Sequence, residues 1–298
     1  MPAGHLLFSI IYIIRYNTRM KRIFLLGAVA AVLLASCGES VDSKAGKLLQ
    51  QAGEAYAAGD YQTSKLLIDS IRGAYPTAFE ARRGALNLMR DVELAEQQRN
   101  LDHCNAVIDT LTARRDRMLE GFEYEKDSRY QDEGSYVCSS QAGRLNVFNS
   151  LLRARTTESG RAYVTSVYRG KRISHRTVKV SAGDSYASCD KPFSSHIYRN
   201  LGINNERLDF IYGEDGGIMD FVAAATQPIT VELTGGDGSY SYILRREDAV
   251  AVAKVMELAR VLKAIAEHRE MAAEAQRHID FVKKTRERFA ADSVSVGK

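Results

Sequence analysis

Histidine, serine, cysteine and clustered carboxylates are the residues with which this chain could do chemistry, and their spacing assembles little of it. Beyond residue 37 the histidines are His103, His175, His196, His268 and His278. None belongs to a His-x-x-x-His or His-Glu-x-x-His array, the spacing that sets two imidazoles on one helix face for zinc. His103 adjoins Cys104, but neighbours on a helix do not face each other and share no ligand. Each histidine reads as a surface or capping residue. Ser194, Ser195 and His196 lie near Asp190, the residue types of acyl transfer, yet a triad is assembled in space and the chain has no Gly-x-Ser-x-Gly elbow. The runs 213–217 and 235–238 are rich in Gly and Asp but lack the Lys-Ser/Thr of a phosphate loop and the spaced carboxylates of a calcium loop, so they read as turns. Cys104 sits on an apolar helical stripe and reads as a small core residue. Cys138 and Cys189 fall in a β-rich stretch, where they could form a disulfide in an oxidising compartment or stay as free thiols. No catalytic set, metal site or cofactor is expected. The fifteen tyrosines, with no tryptophan beside them, read as strand packing rather than a sugar-stacking surface.

The elements that would position these residues have an α–β–α order. Residues 45–76 read as a helical hairpin turned at Gly59-Asp60 and ended before Pro76. Residues 77–133 are given to a long helix, with Leu94, Leu101, Cys104, Ile108, Leu111, Met118 and Phe122 spaced by three, four or seven and Arg115 interrupting them. A second long helix takes residues 245–292, with Val255, Leu258, Leu262, Ile265, Ala272, Ala275, Ile279, Val282 and Phe289 repeating likewise, and 293–298 form a tail. Each seam could belong to a coiled coil or be the buried stripe of a bundle helix. Two such seams most economically bury each other, running antiparallel. Residues 134–244 between them read as a β domain, with strands expected at 163–168, 173–180, 208–212, 218–224, 229–233 and 240–244. Arg169-Gly170-Lys171 and the 235–238 run would join adjacent strands, and 184–207 reads as an irregular excursion. The expected fold class is α+β: antiparallel long helices, a coiled-coil-like bundle, flanking an inserted antiparallel β domain.

Met20-Lys21-Arg22 is followed by an apolar run from Ile23 to Leu34, too short for a confident span of about 20 residues. Leu34, Ala35, Ser36 and Cys37 then resemble the lipobox of bacterial lipoproteins. The resemblance implies that 20–36 are a signal peptide, that Cys37 is lipidated on sulfur, cut from the leader just before it and acylated on its new amine, and that residues 37–44 are a tether. Gly38 follows the cysteine rather than an inner-membrane-retaining aspartate, which favours the outer membrane. Stable attachment needs more than one acyl chain, which this class of protein carries. Residues 1–19 read as a mis-assigned start, because Arg15, Arg19, Lys21 and Arg22 separate their apolar run from the next.

Charge takes its meaning from that cleavage. Of 41 basic and 37 acidic residues, residues 1–36 hold four of the basic and none of the acidic, so the chain from Cys37 onward is formally neutral. This removes the compositional case for nucleic acid, and the local cluster Arg161, Arg169, Lys171, Arg172 and Arg176 reads as solvated hairpin residues.

The 45–76 hairpin also resembles one tetratricopeptide repeat: Gly59-Asp60-Tyr61 takes the inter-helix turn, Ala52 and Ser64 the small packing positions and Pro76 the terminal proline. Leu48-Leu49 stands near the place of the missing tryptophan, and a lone repeat cannot bury its own face. The expected function is a non-enzymatic, membrane-anchored envelope lipoprotein that engages an envelope protein or holds an assembly together. The alternative is a lipoprotein binding a glycan or peptide through its β domain.

Overall fold

The computed structural model describes residues 40–295 except 130, 145–149 and 201. The expected leader and the residues Leu34, Ala35, Ser36 and Cys37 lie outside the described residues. Among the described residues three helices come first in chain order: α1 (Val41–Ala57), α2 (Tyr61–Ala74) and α3 (Phe79–Leu119). Eight strands follow: β1 (Phe122–Glu125), β2 (Ser135–Cys138), β3 (Leu151–Thr157), β4 (Ala162–Gly170), β5 (His175–Ala182), β6 (Ser185–Cys189), β7 (Ser194–Asn200) and β8 (Ile203–Ile211). The order closes with α4 (Ile218–Ala224), β9 (Thr230–Gly235), β10 (Gly238–Ile243) and α5 (Arg246–Ser295). The class is α+β, with two antiparallel sheets. Among the described residues, no helix is long and apolar enough to cross a membrane. The chain divides into two units, residues 1–96 with 282–298 and residues 97–281.

In the first unit, helix begins at Val41, where Ser40 Oγ accepts from Ser43 N at 3.2 Å and caps the first turn. Residues 41–44, expected as part of a tether, are thus helical. Asp60 caps α2 in the same way, accepting from Thr63 N at 3.1 Å. The small residues Ala52 and Ser64 are fully buried, and Ser64 Oγ donates to Ala52 O at 2.8 Å, which draws α1 and α2 together. Leu67, Ile68, Ile71, Tyr75, Ala78, Ala85 and Val92 complete this core. Arg286 Nη1 of α5 bonds Asp91 Oδ1 of α3 at 3.0 Å.

The second unit holds both sheets, ordered β1-β2-β3-β4-β8-β7 and β10-β9-β5-β6. Helix α3 stops at Leu119 rather than 133: Gly121 N closes the last turn on Met118 O at 3.2 Å, and Phe122 leads into β1, which pairs with β2 and packs on the core. The Arg169-Gly170-Lys171 turn does not join neighbouring strands. It carries the chain from β4 in one sheet to β5 in the other. Residues 218–224, expected as a strand, form α4. Asp215, buried at their head, accepts from Met219 N at 2.8 Å and from Gly217 N at 3.3 Å, satisfying first-turn amides that a strand would pair elsewhere. Its Ile218 and Val222, one turn apart, face the core. The stretch 184–207 holds β6, β7 and the start of β8, and β3 lies where no strand was expected.

One apolar cluster fills the space between the sheets, drawing Leu152, Val164, Leu208 and Phe210 from the first, Val178, Val180, Val231 and Leu233 from the second, and Val252, Val255, Met256 and Ala259 from α5. Part of the α5 stripe is thus spent on the sheets rather than on another helix. On α3, Cys104 is buried and Leu101, Ile108, Leu111 and Met118 are partly buried, whereas Asp102, His103, Asn105 and Ala106 between them are exposed. Arg114 Nη2 of α3 bonds Glu257 Oε1 of α5 at 2.7 Å.

Candidate functional site

The two sheets are joined through one polar array that the sequence did not announce. Ser166 lies mid-strand in β4 and Glu206 in β8, across the register pairs Ser166↔Leu208 and Tyr168↔Glu206, so both side chains point into the space facing β5. His175 opens β5 in the opposite sheet. Its Nε2 lies 3.2 Å from Ser166 Oγ and its Nδ1 2.8 Å from Glu206 Oε2. All three are buried, with Ser166 and Glu206 at 0% exposure and His175 at 1%. His175 therefore corrects the expectation of a surface or capping residue.

Three consecutive backbone amides complete the array. Ile173 N and Ser174 N donate to Glu206 Oε1, each at 2.9 Å, and His175 N donates to Oε2 at 2.8 Å. Successive amides wrap an anion in this way when one residue turns left-handed, and Ser174 has φ 51°. These hydrogen bonds outweigh the cost of burial and hold the Glu206 carboxyl below its usual range. Burial lowers the His175 imidazole below its usual value against the pull of Glu206. The neutral ring then donates from Nδ1 to the carboxylate and accepts at Nε2 from the Ser166 hydroxyl.

In residue type and direction this is a nucleophile, a base and an orienting acid in line. Its burial decides what it does. Ser166 has no surface from which a substrate could be reached, the Tyr168 ring stands edge-on to the imidazole at 6.3 Å, and each polar atom is spent on another part of the protein. The array acts as a brace that pins the β4–β5 crossover and ties one sheet to the other.

The brace sets the sign of a pH dependence. Unfolded His175 takes up a proton near pH 6.5, while the folded ring resists it. Below that value the unfolded state binds the extra proton, so stability falls with pH down to the lower folded value. The depressed Glu206 adds stability that is present above its unfolded value of about 4.5 and is lost as pH falls through the folded one. Denaturant midpoints measured between about pH 7.5 and pH 5 should decline for the native chain, by at most about 1.4 kcal/mol per pH unit for one proton. His175→Gln should flatten this upper window and leave the decline below pH 4.5.

The residues singled out from sequence are scattered. Ser194 donates to Asp209 Oδ2 at 2.9 Å, while Ser195 and His196 are exposed on opposite faces of β7 and Asp190 is exposed before it, so they form no triad. Cys138 ends β2 in the six-stranded sheet and Cys189 ends β6 in the four-stranded one. Both are buried free thiols, Cys138 Sγ accepting from Ser140 Oγ at 3.4 Å and Cys189 Sγ donating to Glu214 O at 3.5 Å, so the disulfide considered for them is not formed in this structure. Tyr168, Tyr240 and Tyr242 form a row, with ring centroids 5.0 Å and 5.9 Å apart. Among the described residues no group of three His, Cys, Asp or Glu side chains converges as a metal site.

A second feature is the edge strand β7. Six of its seven residues are exposed, including Ile197 and Tyr198, and Phe193 just before it is 63% exposed. Its other side pairs with β8 along the whole strand.

Compared with family models, curated proteins and solved structures, the chain matches none.

Proposed function

We propose that this protein is a non-enzymatic envelope lipoprotein, held at the outer membrane through acylated Cys37, that carries its β domain on paired long helices and engages an envelope protein. The anchor rests on Leu34-Ala35-Ser36-Cys37 and the basic and apolar run before them. The helical pair is read as antiparallel and coiled-coil-like. Its support is the three-and-four spacing of partly buried residues on α3 and two inter-helix ion pairs, Arg114–Glu257 and Asp91–Arg286, whose residue numbers fall on one helix as they rise on the other. The α1–α2 hairpin is read as tetratricopeptide-like on its Ala52–Ser64 contact.

Engagement of a protein rests on β7. An exposed edge presents unpaired backbone groups that an extended segment can pair with, and natural edges are usually blunted by charge, proline or cover. Here Ile197 and Tyr198 stand exposed on that edge, so the occupant proposed is an extended segment of a partner protein. The nucleophile–base–acid array of Ser166, His175 and Glu206 is closed and committed to the fold, which favours this reading over catalysis.

Cys37→Ala should move the protein from the membrane to the soluble fraction. Retention at the membrane with the leader uncut would overturn the anchor. A photo-crosslinker at position 197, used in living cells, should yield one defined adduct that is lost in Tyr198→Lys, while the same group at exposed Met271 on α5 should not yield it. Equal capture from both positions would overturn the edge reading.

A further inference from the structure

At one end of the six-stranded sheet the strands β4, β8 and β7 finish side by side, with Gly170 opposite Asn204 and Arg199 opposite Asn204. A cavity of about 460 Å³ opens there, lined by Arg169, Gly170, Lys171, Arg199, Ile203 and Asn204 together with Gly202. Three of these described lining residues are cations and none is an acid.

Three backbone acceptors of the wall are already taken. Gly170 O accepts from Asn204 Nδ2 at 3.3 Å, Gly202 O from Arg199 Nε at 3.2 Å, and Lys171 O from Tyr168 Oη at 2.8 Å. The lining side chains Lys171 and Arg199 offer a ligand donors and positive charge. The Arg199 bond to Gly202 O also fixes its guanidinium at the rim with the remaining N–H groups available to a planar or tetrahedral anion. A concave wall carrying one sign of charge focuses its field and concentrates counter-charge. Arginine pairs with phosphate oxygens through two parallel hydrogen bonds, and lysine adds a compact point charge.

We infer that this cavity is a binding site for a phosphate-bearing group, held by Lys171 and Arg199 with Arg169 beside them. The chemistry is shared by a soluble phosphate monoester and by an anionic phospholipid headgroup. It does not depend on the acyl anchor or on the β7 edge, so its failure would leave both of those readings standing.

The test uses the chain from residue 38 onward, without the lipid. Calorimetric titration with inorganic phosphate is run beside co-sedimentation with phosphatidylglycerol vesicles, and with phosphatidylcholine vesicles for comparison. Lys171→Gln/Arg199→Gln should weaken binding about tenfold or more, with circular dichroism and Tm unchanged because both side chains sit at the surface. Lys254→Gln/Arg277→Gln, which removes the same charge from α5, should leave it intact. Salt should weaken binding steeply. Phosphate binding that falls in the cavity variant assigns a soluble ligand. Vesicle binding that falls in it, without phosphate binding, assigns a headgroup. Binding of neither probe, or equal loss in the α5 variant, overturns the proposal.

Discussion

Glu206→Ala is expected to destabilise the β unit by about 3–5 kcal/mol, read as a lowered denaturant midpoint with circular dichroism. The carboxylate accepts from three backbone amides and one imidazole, and of the donor residues Ile173 and His175 are buried and Ser174 half-buried. Alanine leaves them unpaired in a buried space, where each orphaned group costs about 1–3 kcal/mol before the surroundings relax. The loss is a large fraction of the roughly 5–15 kcal/mol by which domains are stable. A change below about 1 kcal/mol would mean the array is dispensable and its brace role wrong. Because the donors converge from the crossover and from the facing sheet, local repair cannot satisfy them all.

Gly160→Ala should cost about 2–5 kcal/mol by the same measurement. Gly160 sits in the β3–β4 turn at φ 86°, a conformation that disfavours a side chain by about 1–2 kcal/mol. A methyl there would also stand 2.5 Å from Lys263 N and 2.6 Å from Ala259 O, both backbone atoms of α5. The hairpin would have to lift off the helix whose Val255, Met256 and Ala259 fill the core between the sheets. Gly213→Ala is the comparison: φ is 89°, but nothing lies within 4 Å of the added carbon. It should lose only the backbone part, and equal losses at the two positions would remove the clash from the account.

The outline of the fold could be read from local pattern, and its failures have local causes. Strands β4, β5, β9 and β10 carry alternating or β-branched runs, and the 235–238 turn joins the last two as expected. Strand β3 escaped notice because Arg153 and Arg155 interrupt its apolar residues, yet Arg153 is buried and pairs with Glu125, and Arg155 lies over the Tyr163 ring at 4.1 Å. The run at 218–224 is short and apolar, which fits a strand or a buried helix equally, and Asp215 decides it. The brace was invisible for a different reason. Glu206 sits among Asn204, Asn205 and Arg207 and looks like loop, while its partners lie more than thirty positions upstream and reach it only through sheet register. Local periodicity carries no information about such a meeting.

The order of strands within the two sheets bears on how the β unit comes together. The chain lays down β4 in one sheet, crosses to the other for β5 and β6, returns for β7 and β8, and crosses again for β9 and β10. Neither sheet is therefore a contiguous stretch of chain. Val180 of β5 pairs with Val231 of β9, and Tyr163 of β4 with Ile211 of β8, each across several intervening strands. Contacts so distant along the chain require loops to close before their pairing is rewarded, which slows folding and leaves few stable partial structures. The interleaving ties the β unit together: no cut between β5 and β8 releases a piece that owns a complete sheet, and the strands of the described residues are expected to melt together.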